Sequence, residues 1–494
     1  MRQLLVNRSL WLDEALVADS IVRRGFSALA TQPLLHDQAA PLLWVWLERA
    51  AVDAFGPREW ALRLVPVSAG LAVLVLVWRV GRRLLPPGAV PAAVLLAALS
   101  PSLLYYSTEV KPYESDAAAV LLVALLALRV RRDCSDRGRL LALTLVGAAA
   151  VWLSTVAVLA LAGVSVVVVV DRLVRRRWRA GLEAAALLAV WVASFAVEYV
   201  LLLAPLRRDP VLVDYWSYAF PLPGEGPGWL SRTAADLAAS PLHVSVPALG
   251  LAATTLGALL MLRRHASGAI VLLAPVVAAV AAGAWSVYPL AGRLALPLVA
   301  PVALSLASLL PGRLGQRRGI AAALALAALA VTNGPAWSEA LPLAVTPRYV
   351  EELRPVLEEL RRERADGEPV LVDLAAISAF DYYARVLAIS RDGAMLFVPA
   401  SSGGRCHDRQ ALDAGGFPTR RVWLVLSHRL VDAPRLGSRE DLLTRISAVT
   451  SVARHIVRPG AEAYLFDPSL LTSPKAPAPP NPARCLAVYL GNAG

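Results

Sequence analysis

Long apolar runs separated by short polar loops occupy most of the first 335 residues. A run of roughly 15 to 22 apolar residues can cross a bilayer as a helix. The stretch from Leu140 to Val170 is predicted to turn back at Ser154 and Thr155, because arginines at both of its ends favour the same side of the membrane. The pattern predicts ten spans: Leu62–Val80, Val90–Tyr106, Ala117–Val130, Leu140–Ser154, Val156–Val170, Gly181–Ala204, Val244–Leu262, Ala269–Trp285, Leu294–Leu310 and Ile320–Thr332.

After about Pro335 the pattern changes to charged helices alternating with short β-branched or aromatic runs. A helix is predicted over Tyr349–Arg364, and this alternation is typical of a small α/β domain. We therefore divide the chain into residues 1–60, a transmembrane helical domain over 61–335 and an α/β domain over 336–494. Strands are predicted at Val370–Leu374, Met395–Val398, Val422–Leu426 and Ala463–Phe466, and a Pro-rich linker at Pro474–Pro482 leads to a last strand near Cys485–Leu490.

The first 60 residues contain one amphipathic helix but no membrane span. Glu48 and Arg49 point away from its apolar face, so we expect the helix to lie along the outer membrane interface. Nothing apolar precedes this segment to carry it across the membrane, so either a first helix is missing from the chain or the N-terminus translocates unaided, and we favour the missing helix. The apolar face consists of Leu43, Trp46, Leu47, Ala50 and Ala54.

Charge gives the orientation. The chain has 494 residues, 57% hydrophobic content and a net charge of +12, with a mean hydropathy of +0.56. Arginine crowds every second loop, which places those loops in the cytoplasm and the α/β domain outside. The sequence thus predicts a multi-pass protein of the cytoplasmic membrane, and it predicts no nucleic-acid partner because the positive-inside rule accounts for the basic charge.

Cysteine usage gives little chemistry. Cys134, Cys406 and Cys485 have no C-x-x-C spacing, so they indicate no metal site. Cys406 and Cys485 fall in the region predicted to lie outside, where a disulfide can persist; a bond and two separate thiols both fit the sequence.

Two adjacent acids, Asp13 and Glu14, stand in the sequence LWLDEA near the predicted outer surface. A carboxylate that is partly desolvated by apolar neighbours can serve as a general base. The alternative interpretation is structural, since Asp13 suits the N-cap of a helix.

A second acidic feature is the short outer loop EVKPYE, which contains Glu109, Lys111 and Tyr113. Carboxylates accept protons from sugar hydroxyls and an ammonium group neutralises phosphate, so this loop could bind a lipid-borne sugar phosphate. An ordinary solvated loop with a proline turn is the alternative.

Two arginines break the positive-inside pattern. Arg63 and Arg293, the latter in YPLAGRL beside Tyr288, lie at predicted outer helix ends. Such cations commonly reach to lipid headgroups, but both are also placed to bind a lipid phosphate. His36 could bind substrate or metal, although a lone histidine is more often neither. The long outer loop holds aromatic residues suited to sugar rings or to membrane anchoring: Tyr215, Trp216, Tyr218, Phe220 and Trp229.

The combined order of motifs resembles the GT-C fold membrane glycosyltransferases, specifically the family 39-like group of protein O-mannosyltransferases and the aminoarabinose transferase of lipid A. The resemblance implies that Asp13 is the base, with Glu14 its neighbour, and that the donor is a polyprenyl-phosphate sugar. Lys111, Arg63 and Arg293 would stabilise the leaving phosphate. The motifs are LWLDEA, His36 with Pro41, GPREWALRL, SPSLLYYSTEVKPYE and YPLAGRL, together with AFDYY near residue 383.

The resemblance leaves several points open. The acceptor could be a lipid, a polysaccharide or a protein, and the metal requirement is unknown, with a divalent cation as a candidate. A transporter or flippase for a lipid-linked or sugar substrate is the main alternative, although its polar groups would be expected at mid-membrane. A membrane-anchored binding protein is a further alternative, but ten spans are more than an anchor needs.

Overall fold

The computed structural model describes residues 6–132, 137–174, 178–204, 210–311, 333–334, 336–373, 376–390, 395–397, 421–428 and 451–470. The chain divides into two compact units. We call Met1–Val6 with Ile21–Pro347 the helical unit, and Asn7–Ser20 with Arg348–Gly494 the sheet unit. The residues before the predicted spans are therefore shared between the two units, and the predicted acids Asp13 and Glu14 belong to the sheet unit.

The helices before residue 350 follow one another through short connections. They are α1 (Leu12–Arg23), α2 (Phe26–Thr31), α3 (Leu42–Phe55), α4 (Glu59–Leu62), α5 (Leu64–Leu84), α6 (Val90–Ala98), α7 (Pro101–Tyr106), α8 (Tyr113–Arg132), α9 (Arg137–Leu153), α10 (Ala157–Val174), α11 (Trp178–Glu198), α12 (Pro210–Trp216), α13 (Gly228–Ala239), α14 (Pro247–Ala284) and α15 (Val299–Ala307). Short 3-10 helices cover Leu35–Asp37, Pro87–Ala89, Ser217–Ala219 and Gly292–Leu298, a π-helical turn covers Tyr199–Leu203, and residues 336–345 are also helical.

The helices confirm most of the predicted apolar segments. Helices α9 and α10 are separate, which confirms the predicted turn at Ser154. The segment predicted over Val90–Tyr106 is instead two helices, because Pro101 disfavours helix at the residue before it. There the hydroxyl of Ser100 caps α7 by accepting the N–H of Leu103. The two segments predicted around residue 265 are both present as the two parts of α14, which is kinked at His265, where the backbone leaves the helical conformation.

Three apolar helices are long enough to cross a membrane among the residues that the structure describes: Glu59–Leu84, Ala185–Leu203 and Pro247–Ala284. Shorter apolar helices cover Pro87–Ala98, Gly138–Leu153, Ala157–Val168 and Gly292–Ala307. The predicted total of ten spans stays a prediction, and its last member, Ile320–Thr332, lies outside the described residues. The chain is a membrane protein; the side on which its C-terminal part lies stays a prediction.

Small residues let the helices of this unit approach closely, as is common between membrane helices. At Gly257 on α14, an added Cβ would lie 2.0 Å from the carbonyl oxygen of Ser305 on α15. At Gly163 on α10, it would lie 2.7 Å from the carbonyl carbon of Ala274. These two glycines let α14 pack directly against α10 and α15. The segment that follows α14 therefore has a defined position.

Helix α3 shows which face of the predicted amphipathic segment is buried. Trp46 and Leu47 are exposed, as are Ala50 and Ala54, whereas Glu48 is fully buried. The apolar face that was predicted from the sequence is therefore the outward face of the helix. An outward apolar face is what an interfacial helix needs, and the interfacial position itself stays a prediction.

The sheet unit contains a five-stranded mixed sheet. Its strands are β1 (Val370–Asp373), β2 (Met395–Phe397), β3 (Val422–Ser427), β4 (Ser451–Arg458) and β5 (Ala461–Asp467), in the order β2-β1-β3-β5-β4. Strand β1 pairs in parallel with β2 and β3, and β5 pairs antiparallel with β3 and β4. Two helices accompany the sheet, α16 (Leu353–Glu363) and α17 (Ile377–Val386). The predicted α/β domain is confirmed.

Helix α16 packs on the sheet through one stripe. Leu353, Val356, Leu357 and Leu360 are buried at helical spacing. The sequence analysis missed β4, because its charged residues hide the alternation that marks a strand. Charge is expected there, since β4 is an edge strand and charged side chains prevent edge-to-edge association. The predicted linker and last strand after residue 470 lie outside the described residues.

Candidate functional site

Asp13 and Glu14 lie in the first turn of α1. Glu14 is fully buried, and its Oε2 accepts the backbone N–H of Trp11 at 3.3 Å. This is the reciprocal contact of a capping box, in which the third helical residue reaches back to the N-cap. Trp11 therefore occupies the N-cap position, and the alternative interpretation of Asp13 as an N-cap is wrong. Asp13 is partly exposed beside the buried Glu14.

The chain before α1 is held within the sheet unit by side chains from its C-terminal part. The backbone N–H of Ser9 donates to Oε1 of Glu352 at 3.2 Å, and that of Leu10 donates to the hydroxyl of Tyr383 at 2.6 Å. Tyr383 is the last residue of the AFDYY sequence and is fully buried on α17. The start of α1, and with it Asp13, is thus fixed to the sheet unit rather than left as a loose terminus.

His428 also packs at the start of α1, and the sequence analysis missed it. It follows β3, and its Nδ1 lies 2.5 Å from Oε1 of Glu351. The other oxygen of Glu351 accepts the backbone N–H of Leu12 at 3.0 Å. The His428 ring stacks on Trp11, with 6.3 Å between the ring centroids. A histidine 415 positions away in sequence cannot be linked to Asp13 without the fold, because nothing local marks it.

Burial lowers the pKa of His428, but the hydrogen bond that Glu351 accepts from the ring and the charges of Glu351, Asp13 and Asp373 outweigh that effect, so the pKa of His428 is raised above its usual value. The charge of Asp13 is among the causes, which places the imidazole in the electrostatic environment of this carboxylate. The sheet unit therefore holds a titratable group near the predicted base.

In the helical unit, Lys111 lies in the turn between α7 and α8 and is almost fully buried. Its Nζ donates to Oε1 of Gln38 at 2.9 Å, and Nε2 of Gln38 donates to the carbonyl oxygen of His36 at 3.2 Å. The structure thus joins the His36 segment to the Lys111 loop through one glutamine. The imidazole of His36 is exposed, and its backbone has a φ of 61°.

Arg293 stands between two aromatic rings. Its guanidinium carbon is 5.7 Å from the ring centre of Tyr113 and 5.8 Å from that of Trp216. These are cation–π distances, and such contacts orient the guanidinium plane. Tyr113 in turn meets Tyr106 edge to face at 5.3 Å. The predicted residues Tyr113 and Arg293 therefore lie together, although 180 positions separate them in sequence.

Of the remaining predicted residues of this unit, Arg63 and Glu109 are buried and Tyr288 is half-buried. Arg63 is fully buried at the junction of α4 and α5, which contradicts the interpretation that it reaches to headgroups from the surface. Glu109 is buried in the Lys111 loop. The Tyr288 hydroxyl donates to the carbonyl oxygen of Leu294 at 2.8 Å, which ties YPLAGRL into a turn. The predicted ordinary solvated loop at Lys111 is wrong, because its side chains face the protein interior.

The aromatic loop before α14 divides into two roles. Trp229 is buried and its indole N–H donates to the carbonyl oxygen of Ala219 at 3.1 Å, so it holds the loop together. Trp216 contacts Arg293 and stacks against Tyr218 at 6.1 Å. The pair of Trp216 and Tyr218 thus adjoins the predicted cation. An ion pair between Arg232 and Glu225 at 2.8 Å also holds the loop, and hydrogen bonds from Arg232 and Leu222 lower the pKa of Glu225 to about 2.

An apolar cavity lies next to this group. Tyr288 and Leu294 line it together with Leu159, Pro275 and Pro297. In the described part of the chain, no charged residue lines this cavity of about 20 Å³, and Leu294 in its lining follows Arg293 in sequence. Within the described ranges, no group of three or more His, Cys, Asp or Glu side chains is arranged to hold a metal ion. The three cysteines lie outside the described residues.

The sequence matches a family model described as dolichyl-phosphate-mannose-protein mannosyltransferase. Residues 39–213 carry the match. The resemblance drawn from the motifs is confirmed over this region, and the family is one of glycosyltransferases. No curated protein matches the sequence. Two crystal structures of ArnT from Cupriavidus metallidurans are similar to this chain, in the apo state at 15% identity and bound to undecaprenyl phosphate at 14%. Each comparison covers 96% of both chains with a TM-score of 0.43.

The region that matches the mannosyltransferase family contains part of the predicted site. Arg63, Glu109, Lys111 and Tyr113 lie within it. Arg293 lies outside the matched residues, but the structure places it on Tyr113. Asp13 and Glu14 also lie outside, in the sheet unit, and their convergence with the cations stays a prediction.

Proposed function

We propose that this protein transfers a sugar, with inversion, from a polyprenyl-phosphate sugar to an acceptor hydroxyl at the outer face of the cytoplasmic membrane. The observation that carries the proposal is the mannosyltransferase match over residues 39–213. Lys111 lies within these residues and is buried in the short loop that follows α7. The family description names a polyprenyl-phosphate sugar as donor, and the donor of this chain is proposed by analogy.

The phosphate end of the donor is proposed to meet Lys111 and Arg293. Lys111 is a compact charge held by Gln38, and Arg293 presents a planar guanidinium oriented by two rings. Phosphate oxygens gain negative charge as the glycosidic bond breaks, so cations already in place stabilise the transition state more than the ground state. Arg63 is fully buried and lies within the residues that match the family model. We propose it as a third cation of this group.

The hydrocarbon chain of the donor is proposed to lie against the apolar residues around Tyr288, where a cavity of about 20 Å³ interrupts the packing. The cavity lining is aliphatic and includes prolines, which keep its shape without exposing backbone N–H groups. Leu294, which lines the cavity, follows Arg293 in sequence. The proposal places the lipid chain on this apolar side and its phosphate at Arg293.

Asp13 is proposed as the general base. An acceptor hydroxyl gives its proton to the Asp13 carboxylate as its oxygen attacks the anomeric carbon. The bond between that carbon and the phosphate oxygen breaks, and the lipid phosphate departs with the electron pair, so that one displacement inverts the anomeric centre. Support comes from the fixed position of α1, since a base acts only when it is held at hydrogen-bond distance from its proton.

The proposal is tested with full-length protein in lipid nanodiscs, radiolabelled undecaprenyl-phosphate mannose as donor probe and native membranes as acceptor source. We expect label to move into a lipid, polysaccharide or protein fraction, and Lys111→Gln to lower kcat/KM by about 10²-fold, as loss of one transition-state donor does. Asp236→Asn, at an exposed position of α13, is the control. Transfer that is the same for wild type and Lys111→Gln would contradict the proposal.

One observation favours transport as a second candidate. Glu198 is fully buried on the candidate membrane span Ala185–Leu203, and neither of its carboxylate oxygens has a hydrogen-bond partner among the residues that the structure describes. Ionisable groups within membrane helices often mark ion or substrate paths. Uptake of undecaprenyl-phosphate mannose across liposomes that is lost in Glu198→Gln, with no transferred product, would support this candidate instead.

A further inference from the structure

Three polar side chains of the helical unit form a relay that the proposed sugar transfer does not use. The hydroxyl oxygen of Ser102 on α7 is 3.0 Å from Nε2 of His243. Nδ1 of the same ring is 3.2 Å from Oε2 of Glu339. A serine on one ring nitrogen and a carboxylate on the other is the order of a nucleophile, a general base and the group that orients the base.

The backbone fixes this relay in place. His243 has a φ of 50°, a left-handed conformation that is unusual for a residue other than glycine. The N–H of Leu242 donates to the carbonyl oxygen of Leu237, and that of Val244 donates to that of Ala238 at 2.7 Å, so both neighbours of His243 are tied to the end of α13. Such strain persists only where the surrounding structure holds it, and it occurs often at functional sites.

The relay also adjoins a cavity of matching chemistry. The cavity is lined by Ser100 and Pro101, next to Ser102, and by Leu242 and Val244, on either side of His243. Trp337, two positions before Glu339, completes this part of the lining. The rest of the lining is largely aliphatic, so an acyl group that reaches Ser102 meets an apolar surface rather than a polar one.

We propose that Ser102, His243 and Glu339 form a second active site, an acyl-transfer centre for carboxylic esters with aliphatic acyl chains. Nε2 of His243 takes the proton of the Ser102 hydroxyl as the serine oxygen attacks the ester carbonyl carbon. The carbon–oxygen bond of the ester breaks, and the leaving alcohol takes the proton from His243. Water then attacks the acyl-serine, again through His243, which releases the carboxylic acid and restores the serine.

The environments of the three groups suit these roles. Burial lowers the pKa of His243, and the charge of Glu339 offsets this only in part, so the ring is neutral near pH 7 and can accept a proton. Ser102 is buried, whereas 24% of the His243 side chain is exposed, which gives water a route to the base for the second step. The Glu339 side chain is 59% exposed, so it can be replaced without disturbing a core.

The test uses full-length protein in detergent micelles and a fluorophosphonate probe, which reacts with activated serines. We expect covalent labelling of Ser102, located by peptide mass spectrometry, with loss of the label in Ser102→Ala. His243→Gln should slow labelling by about 10²-fold or more, because it removes the general base. Glu339→Gln should slow it by about tenfold, since the ring is then less well oriented and less basic.

Ser107→Ala is the matched control. Ser107 follows the same helix, and its hydroxyl donates to the carbonyl oxygen of Leu104 at 2.9 Å, so its removal should leave labelling unchanged. Hydrolysis of p-nitrophenyl butyrate should follow the same order of variants, while Ser102→Ala keeps the transfer of sugar from undecaprenyl-phosphate mannose. Wild-type protein that melts cooperatively but takes no label at Ser102, or a label that forms equally fast in His243→Gln, would overturn the proposal.

Discussion

The contact at Gly257 gives a quantitative test of how α14 meets α15. An alanine Cβ at this position would lie 2.0 Å from the carbonyl oxygen of Ser305, whereas real Cβ atoms essentially never come within 3.0 Å of a neighbour. The two backbones must therefore part by at least about 1 Å, the difference between these distances. The hydroxyl of Ser308 donates to the carbonyl oxygen of Gly257 at 2.5 Å, and this hydrogen bond would be stretched at the same time.

We expect Gly257→Ala to destabilise the protein by about 2 to 4 kcal/mol. Overpacking of a close contact costs roughly 1–3 kcal/mol, and the loss of a buried hydrogen bond adds roughly 0.5–1.5 kcal/mol. Ser308→Ala separates the two effects, because it removes the hydrogen bond but leaves the backbone contact. It should account for less than half of the loss.

Tryptophan fluorescence during heating of the detergent-solubilised protein, at one fixed scan rate, measures these effects. Gly88→Ala is the matched control, because nothing lies within 4 Å of its added Cβ and alanine there restricts the unfolded chain. It should melt at or slightly above the wild-type temperature. If Gly257→Ala melts together with Gly88→Ala, α14 and α15 do not meet as described.

Three further results are expected. Trp216→Leu should raise KM for undecaprenyl-phosphate mannose by about two- to fivefold, because one cation–π contact of roughly 0.5–1 kcal/mol is lost. The same change should have no effect in the Arg293→Gln variant, and additive effects of the two substitutions would show that the Trp216 ring does not act through Arg293. Gln38→Leu should lower kcat/KM for this donor by leaving Lys111 misplaced, whereas transfer equal to the wild-type rate would remove Gln38 from the site. The pKa of His428 is raised, so the stabilisation that His428 gives the sheet unit is present below about pH 6.5 and is lost as the pH rises through the raised pKa. His428→Gln should flatten this pH dependence of the melting temperature, and an unchanged slope would contradict the assignment.

The sequence predicted the helices and strands of this fold better than the residues at which they begin and end. Apolar runs indicate buried or lipid-facing helices directly, and so α5 and α8 to α10 were located within a few residues. Breaks depend on single residues, such as the proline and serine at the start of α7, which a long apolar run conceals. The edge strand β4 was missed because its charged residues hide the alternation that marks a strand. Such charges keep an edge strand from pairing with other chains.

The site was only partly predictable, for a physical reason. Lys111, Arg293 and Tyr113 carry charge or aromatic surface at unusual positions, which a sequence reveals without a fold. Gln38 and His428 have no such mark, since a neutral amide and a lone histidine acquire roles only through the contacts that folding makes. For the same reason, burial of Arg63 and Glu109 could not be derived from their neighbours in the sequence.

The central claim is that the Asp13 carboxylate accepts the proton of the acceptor hydroxyl. It is tested most directly by Asp13→Asn in the full-length protein, with single-turnover transfer from radiolabelled undecaprenyl-phosphate mannose and with donor binding measured on the same sample. We predict that transfer falls by about 10² to 10⁴-fold while donor affinity is kept, because asparagine retains the shape but accepts no proton. Transfer at the wild-type rate in the asparagine variant would contradict the account.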